Sequence, residues 1–170
     1  MRLQLDPYPS PIGEILLVHD DEGVLRVLDF SDYEPRMLRL LKRHYGEAAL
    51  RAGQAPVATT AALDAYFKGD LTKLSALPTA TNGTPFQRGV WTALRKIPSG
   101  ETRSYGALAA QLGNPRAMRA VGLANGANPI AIVVPCHRVI GANGALTGFG
   151  GGLHRKQWLL EHEGALGVRV

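Results

Sequence analysis

Cysteine is nearly absent from this 170-residue chain: Cys136 is the only one. A lone thiol excludes an intrachain disulfide and a cysteine-rich zinc cluster, which argues against a secreted, stapled scaffold and points to a reducing compartment. Long apolar runs are missing as well. No stretch approaches the roughly 18 residues needed to span a bilayer, and the opening "MRLQLDPYPSPIG" lacks the apolar core of a signal peptide, so a cytoplasmic protein without membrane contact is expected. Acidic residues are scarce in one half only. Residues 1–83 hold nine Lys/Arg against eleven Asp/Glu, a net −2, whereas residues 84–164 hold nine against three (Glu101, Glu161 and Glu163), a net +6. A basic excess confined to one half suits a domain that binds a polyanion, because phosphate neutralisation supplies most non-specific affinity for nucleic acid; a solvated basic face is the plainer alternative.

What is present is globular: 45% hydrophobic residues in a chain long enough for one ordinary core or two small ones. "PIGEILLVHDDEGVLRVLDF" alternates apolar and polar residues around an Asp-Asp-Glu-Gly turn signal, which predicts a β-hairpin of Ile12–Val18 and Val24–Phe30. Helical spacing of Met37, Leu38, Leu41 and Tyr45 follows from Pro35 to Tyr45, and a second short helix is expected over Ala61–Phe67. Pro and Gly punctuation places a boundary near residues 78–84, giving domains of 1–80 and 81–170. Thr84-Pro85-Phe86-Gln87 is a capping box with proline in the first helical position, and Phe86, Val90, Leu94 and Ile97 then line one side up to Pro98-Ser99-Gly100. Ser104 caps a helix running through Leu108 and Leu112 to Gly113. Asn114-Pro115 opens another, to about Asn125, so the pair forms a helix-turn-helix candidate. On the second helix Ala117, Val121 and Ala124 face inward, beside a face of Arg116, Arg119, Ala120, Gly126 and Ala127. Arginines among very small residues suit close approach to a nucleic-acid backbone by phosphate and shape rather than base edges, and equally suit packing against a neighbouring helix.

"IAIVV" reads as a buried β-branched strand that Pro135 ends, setting Cys136 at a strand terminus. A thiol becomes a strong nucleophile as thiolate, with a base or positive charge nearby, and His137 and Arg138 are adjacent in sequence. Successive side chains of extended chain point to opposite faces, so His137 needs a turn or a bridging water to act on the sulfur. A carboxylate orienting the imidazole comes from the helix of "RKQWLLEHEG", either Glu161 or Glu163; the residues alone do not choose. A buried, inert thiol beside a surface histidine is the competing reading. "GANGALTGFGGG" is too rich in glycine for core and reads as a loop over a pocket, with no phosphate-loop or dinucleotide spacing.

"PCHRVIG", preceded by "ANGANPIAIVV" and followed by "LTGFGGGLHRKQWLLEHEG", closely resembles the methylated-DNA–protein-cysteine methyltransferases, the 6-O-alkylguanine-DNA alkyltransferase repair family. The match runs over Thr84 to Gly164, and "SPIGEILLV" with "LPTATNGTPFQRGVW" resembles the bacterial constitutive form. The resemblance implies an α/β (α+β) protein, with a small ribonuclease H-like sheet-plus-helix domain followed by a winged helix-turn-helix-like domain. It implies single, irreversible transfer of an alkyl group from a flipped 6-O-alkylguanine to Cys136, and leaves open whether 4-O-alkylthymine is also repaired. Carried over, His137 acts on Cys136 through water, Glu163 orients His137, and Asn128 holds the turn. Tyr105 donates to the guanine and Arg119 fills the gap in the duplex. Arg116, Gly106, Asn114 and Ala120 join Tyr105 and Arg119 against DNA, and Pro135, Val139, Phe149 and Gly150 line the base pocket. The implied partner is double-stranded DNA, approached from the minor groove largely without sequence preference, by a monomer able to associate along it; no cofactor is implied.

The chain departs from some relatives in two ways. Phe149 stands where they carry tyrosine, and the N-terminal cysteines with which some bind zinc are missing, so no metal is expected. The glycines of "GFGGG" suggest room for alkyl groups larger than methyl. A DNA-binding relative without transfer would lack the cysteine, and a cysteine hydrolase would turn over.

Overall fold

The computed structural model describes residues 1–165. The hairpin forms around Asp20, whose Oδ1 accepts from the amides of Glu22 (2.9 Å) and Val24 (3.0 Å) while Oδ2 pairs with Arg26 Nε at 2.9 Å. Its strands are β2 (Gly13–Asp20) and β3 (Leu25–Phe30), paired antiparallel. A strand that the sequence reading did not anticipate, β1 (Arg2–Ser10), pairs antiparallel with β2 despite Pro7 and Pro9. The prolines are tolerated because the parallel neighbour β4 (Ala49–Ala52) pairs only with Arg2–Leu5, so beyond Leu5 the strand has a free edge that needs no amide donor.

The sheet order is β3-β2-β1-β4. Against it α1 (Glu34–Tyr45) buries Met37 and Leu41 among Leu3, Leu16, Val18 and Val27. Leu38, expected on the same face, is 44% exposed: one residue step of about 100° carries it off the Met37–Leu41 stripe. Helix α2 (Val57–Phe67) starts four residues before the expected position, because Thr59, Ala62, Leu63 and Tyr66 form a buried stripe that extends toward Pro56.

In the second half α3 (Pro85–Arg95) carries the expected capping box. Gln87 N donates to Thr84 Oγ1 (3.1 Å) and Thr84 N to Gln87 Oε1 (3.0 Å). Thr84→Ala is expected to cost about 1 kcal/mol, read as a lower urea midpoint with unchanged slope. Val90, Leu94 and Ile97 are buried, but Phe86 is 42% exposed, lining an open groove whose small walls, Gly89, Ala109 and Ala117, cannot cover its ring.

Ser104 caps α4 (Tyr105–Gln111) through Ala107 N at 3.0 Å. Asn114 does not cap with its side chain. A 3-10 turn, Pro115–Ala117, comes first, and it is the Asn114 carbonyl that accepts from Ala117 N at 2.9 Å. Helix α5 (Met118–Gly126) follows, with Val121 and Ala124 buried as expected; Ala117 is only half-buried because the 3-10 turn has a different phase. Trp91 Nε1 donates to the Ala124 carbonyl at 2.8 Å, joining α3 to α5.

"IAIVV" is not a strand. Ile130 makes one bridge, to Leu28, and the chain then turns, with Ile132 at φ 70. A buried turn has the same apolar composition as a buried strand, and its backbone here is bonded locally, Val133 N to the Ala131 carbonyl at 2.8 Å. Two short parallel strands, β5 (Arg103–Ser104) and β6 (Val139–Ile140), precede the last helix, α6 (Leu153–His162). By contacts the chain forms two units: Met1–Asn82 with Pro129–Val133, and Gly83–Asn128 with the chain from Val134 onward. The first is a sheet with helices, the second mainly helical.

Candidate active site and nucleic-acid interface

Pro135 is followed by one 3-10 turn made of Cys136, His137 and Arg138, all three buried. Cys136 therefore lies at the start of a turn rather than at a strand end, and at 5% exposure it is enclosed rather than displayed. The pairing of β5 with β6 aligns Arg103 with Val139 and Ser104 with Ile140, which brings the start of α4, Tyr105, beside the segment that leaves the turn.

Glu163, the residue that closes α6, reaches two side chains of the turn. His137 Nε2 lies 2.8 Å from Oε2, and Arg138 binds the same carboxylate through Nε (2.8 Å, Oε1) and Nη2 (3.0 Å, Oε2). Arg138 Nη1 also donates to the Ile97 carbonyl at 2.6 Å. Gly100, at φ 84, lets the chain after Ile97 approach: a Cβ there would meet the Glu163 carbonyl at 3.0 Å. Glu161, the other candidate, is exposed and accepts from Gln157 at 2.9 Å. Helical spacing holds a signal that separates them, since Lys156, Leu159, Leu160 and Glu163 form one buried stripe while Glu161 lies off it.

Burial pushes the Glu163 carboxyl up, but the imidazole of His137 and the guanidinium of Arg138 more than reverse this and hold it well below the usual carboxylate range. Burial likewise pushes His137 down, against the upward pull of Glu163, so the ring is neutral at neutral pH. A neutral ring beside a carboxylate keeps its proton on Nε2, leaving Nδ1 as the basic atom. Nδ1 is buried and has no hydrogen-bond partner among the described residues.

Nothing in the sequence reading singled out Lys156, which is fully buried and donates to the carbonyls of Val139 and Thr147, each at 2.6 Å. Burial lowers its pKa to about 8, with the negative charge of a Cys136 thiolate pulling the other way. By reciprocity the ammonium favours the thiolate. Tyr105, half-buried, donates to the same Thr147 carbonyl at 3.3 Å, so one loop residue joins it to Lys156. Asn128 Nδ2 donates to the Val134 carbonyl (2.8 Å) and Asn125 Nδ2 to the Cys136 carbonyl (3.3 Å), fixing the backbone on both sides of Pro135. Of the expected pocket residues Pro135 and Val139 are buried, and Phe149 and Gly150 are half-buried in the glycine-rich loop, where Gly152 N donates to the Phe149 carbonyl at 3.0 Å. Asn114, Arg116, Arg119 and Ala120 are exposed along the turn and α5, with Gly106 half-buried on α4.

Residues 6–81 match the ribonuclease-like domain, and residues 85–165 the DNA binding domain, of 6-O-methylguanine DNA methyltransferase. A methylated-DNA–protein-cysteine methyltransferase of Salmonella typhimurium is 52% identical over 168 residues, covering 98% of each chain. The chain belongs to this methyltransferase family. A relative of the same name from Methanosarcina acetivorans is 48% identical, covering 93% of this chain and 96% of its own. The crystal structure of Mycobacterium tuberculosis OGT in complex with DNA aligns at a TM-score of 0.82 and 44% identity, covering 97% of this chain and 94% of that one. In this family setting the expected α/β fold with a helical second half holds. The stated likeness covers both halves, and among the described residues no helix is long and apolar enough to cross a membrane.

Proposed function

We propose that this protein repairs DNA by direct reversal, moving the alkyl group of a 6-O-alkylguanine in a duplex onto Cys136 once per molecule. The observation that carries the reading is the buried turn in which the only cysteine adjoins a histidine bonded to a carboxylate that an arginine also holds. Family membership supplies the substrate class. A base stacked in a duplex is out of reach of a buried sulfur, so the nucleotide has to be extruded, and weakened pairing at the lesion lowers a cost of a few kcal/mol. Arg119, exposed on α5, fills the gap. The approach is from the minor groove, through phosphates and shape, and one copy suffices.

In the transfer, the thiol proton passes through a water to Nδ1 of His137, whose Nε2 proton stays on Glu163's side of the ring. The sulfur then forms a bond to the alkyl carbon while the carbon–oxygen bond breaks, and the electron pair goes to the purine. Tyr105 donates to that purine as its charge develops, while Lys156 and the carbonyls it holds keep the wall of the pocket in place. Asn128 keeps the backbone before Cys136 fixed. The departing purine takes up a proton from water while His137 gives the one it accepted back to water, so thiol and alkylguanine give thioether and neutral guanine without another reactant.

Incubation with a duplex carrying one 6-O-methylguanine is expected to raise the intact mass by one methyl group in place of one hydrogen, on Cys136, with no second addition. A protein that left the lesion in place without gaining mass would refute the reading, and repeated turnover would favour a hydrolase.

A further inference from the structure

Helix α5 presents almost no side chain outward. Stepping about 100° per residue, its exposed arc runs Gly126, Arg119, Leu123, Ala127 and Ala120, so only Arg119 and Leu123 project beyond a methyl group. Leu123 is 72% exposed and one turn beyond Arg119. Met118, also exposed, is of a different kind, since its sulfur lies over α4, 3.7 Å from where a Cβ on Gly106 would stand. On the same flank, between Met118 and the arc, Gly122 abuts the Tyr105 ring, 3.8 Å from a Cβ built there. Around the helix the order is therefore Tyr105, Arg119, Leu123. Arg116 and Arg119 are exposed, and neither is in an ion pair among the described residues, in a half of the chain with a net charge of +6.

A single exposed leucine on a protein surface is ordinary. Here it sits on an exposed arc that, Arg119 apart, is otherwise reduced to hydrogen and methyl, one turn beyond that cation. We infer that Leu123 is an apolar contact with the deoxyribose wall of the duplex groove, on the side of Arg119 away from Tyr105, and that it supplies a salt-independent share of DNA affinity. The inference rests on the repair reading above. With Tyr105 at the extruded nucleotide and Arg119 in the gap it leaves, the next projecting group along the arc meets the neighbouring, still stacked nucleotide. Its sugar carbons are the apolar surface a groove offers. Phosphate contacts release counterions and fade with salt, whereas burying methyl groups against a sugar does not.

The test is fluorescence anisotropy with a labelled, unmodified duplex over a series of salt concentrations. Leu123→Ala is expected to raise Kd about fivefold at every salt concentration, leaving the slope of log affinity against log salt as in the wild type. Leu123→Met is expected to bind like the wild type, and Arg116→Ala to flatten the slope by about one unit. Leu38→Ala, at an exposed leucine of α1, is the control and is expected to change nothing. Alanine is the better helix former, so folding is retained, and Leu123→Gln gives a second measure of the same loss. Wild-type affinity in Leu123→Ala, or a loss that disappears at high salt, overturns the inference while leaving the repair reading intact. A wild-type protein that does not bind the duplex overturns both.

Discussion

Cys136→Ala is expected to abolish alkyl transfer outright while the protein still binds duplex DNA, with affinity that falls as salt rises. The chain has no second thiol, and a hydroxyl or amine elsewhere cannot replace a sulfur nucleophile within the electrostatic reach of a buried ammonium. Removing one buried sulfur costs about 1 kcal/mol, too little to unfold a domain whose turn is held by Glu163, Arg138, Asn125 and Asn128. The exposed arginines are untouched, so the electrostatic part of binding persists. Intact-mass measurement after incubation with the methylated duplex, paired with anisotropy across salt, reads both halves. Any mass gain in the alanine variant would place the acceptor elsewhere.

Glu163→Gln is expected to have the largest effect on stability, about 3–5 kcal/mol, because it leaves the Arg138 guanidinium nearly buried without its counter-charge. Transfer should slow by about a hundredfold or more as His137 loses the group that fixes its proton on Nε2. The variant also changes how stability depends on pH. Because the folded carboxyl titrates below its unfolded value, its contribution is fully present above about pH 4.3 and is lost as the pH falls toward the folded pKa. His137, buried neutral, has the same sign: below about pH 6.5 the unfolded chain takes up a proton that the native ring refuses, and stability drops. Urea unfolding of both proteins from pH 7 to pH 3 should show a gap that is constant above about pH 5 and narrows below about pH 4.3. A gap independent of pH would show that the carboxylate's charge is not what stabilises the turn.

The parts of the fold that rest on neighbours in sequence were legible. The capping box of Thr84 and Gln87 and the turn at Asp20 are made by side chains bonding to amides two to four residues away, so composition and spacing reveal them. What depends on distant partners was not. Pro7 and Pro9 argue against a strand until the short reach of β4 is known. The apolar run at Ile130–Val134 carries the composition of a strand, because burial leaves the same composition on a turn as on a ladder. Nothing near Lys156 in sequence marks it, since the carbonyls that make its burial tolerable come from residues 139 and 147. Of the site, the Cys136–Arg138 cluster stood out in the sequence. The choice of Glu163 over Glu161 needs the buried stripe of α6, on which Glu163 lies and Glu161 does not.

The hydrogen bond from Asn128 to Val134 closes the neck of a five-residue excursion, for these are the last residue before and the first after Pro129–Val133, the stretch that folds with the N-terminal sheet. Within that sheet unit the excursion is stitched to Leu28, whose amide donates to the Pro129 carbonyl and whose carbonyl accepts from Ala131. Neither unit is thus a contiguous piece of chain. Splitting the protein after Asn82 would deprive the first fragment of a seam it uses and leave the second carrying an orphaned loop that ends three residues before its cysteine; dissecting the two genetically takes three cuts and two joins.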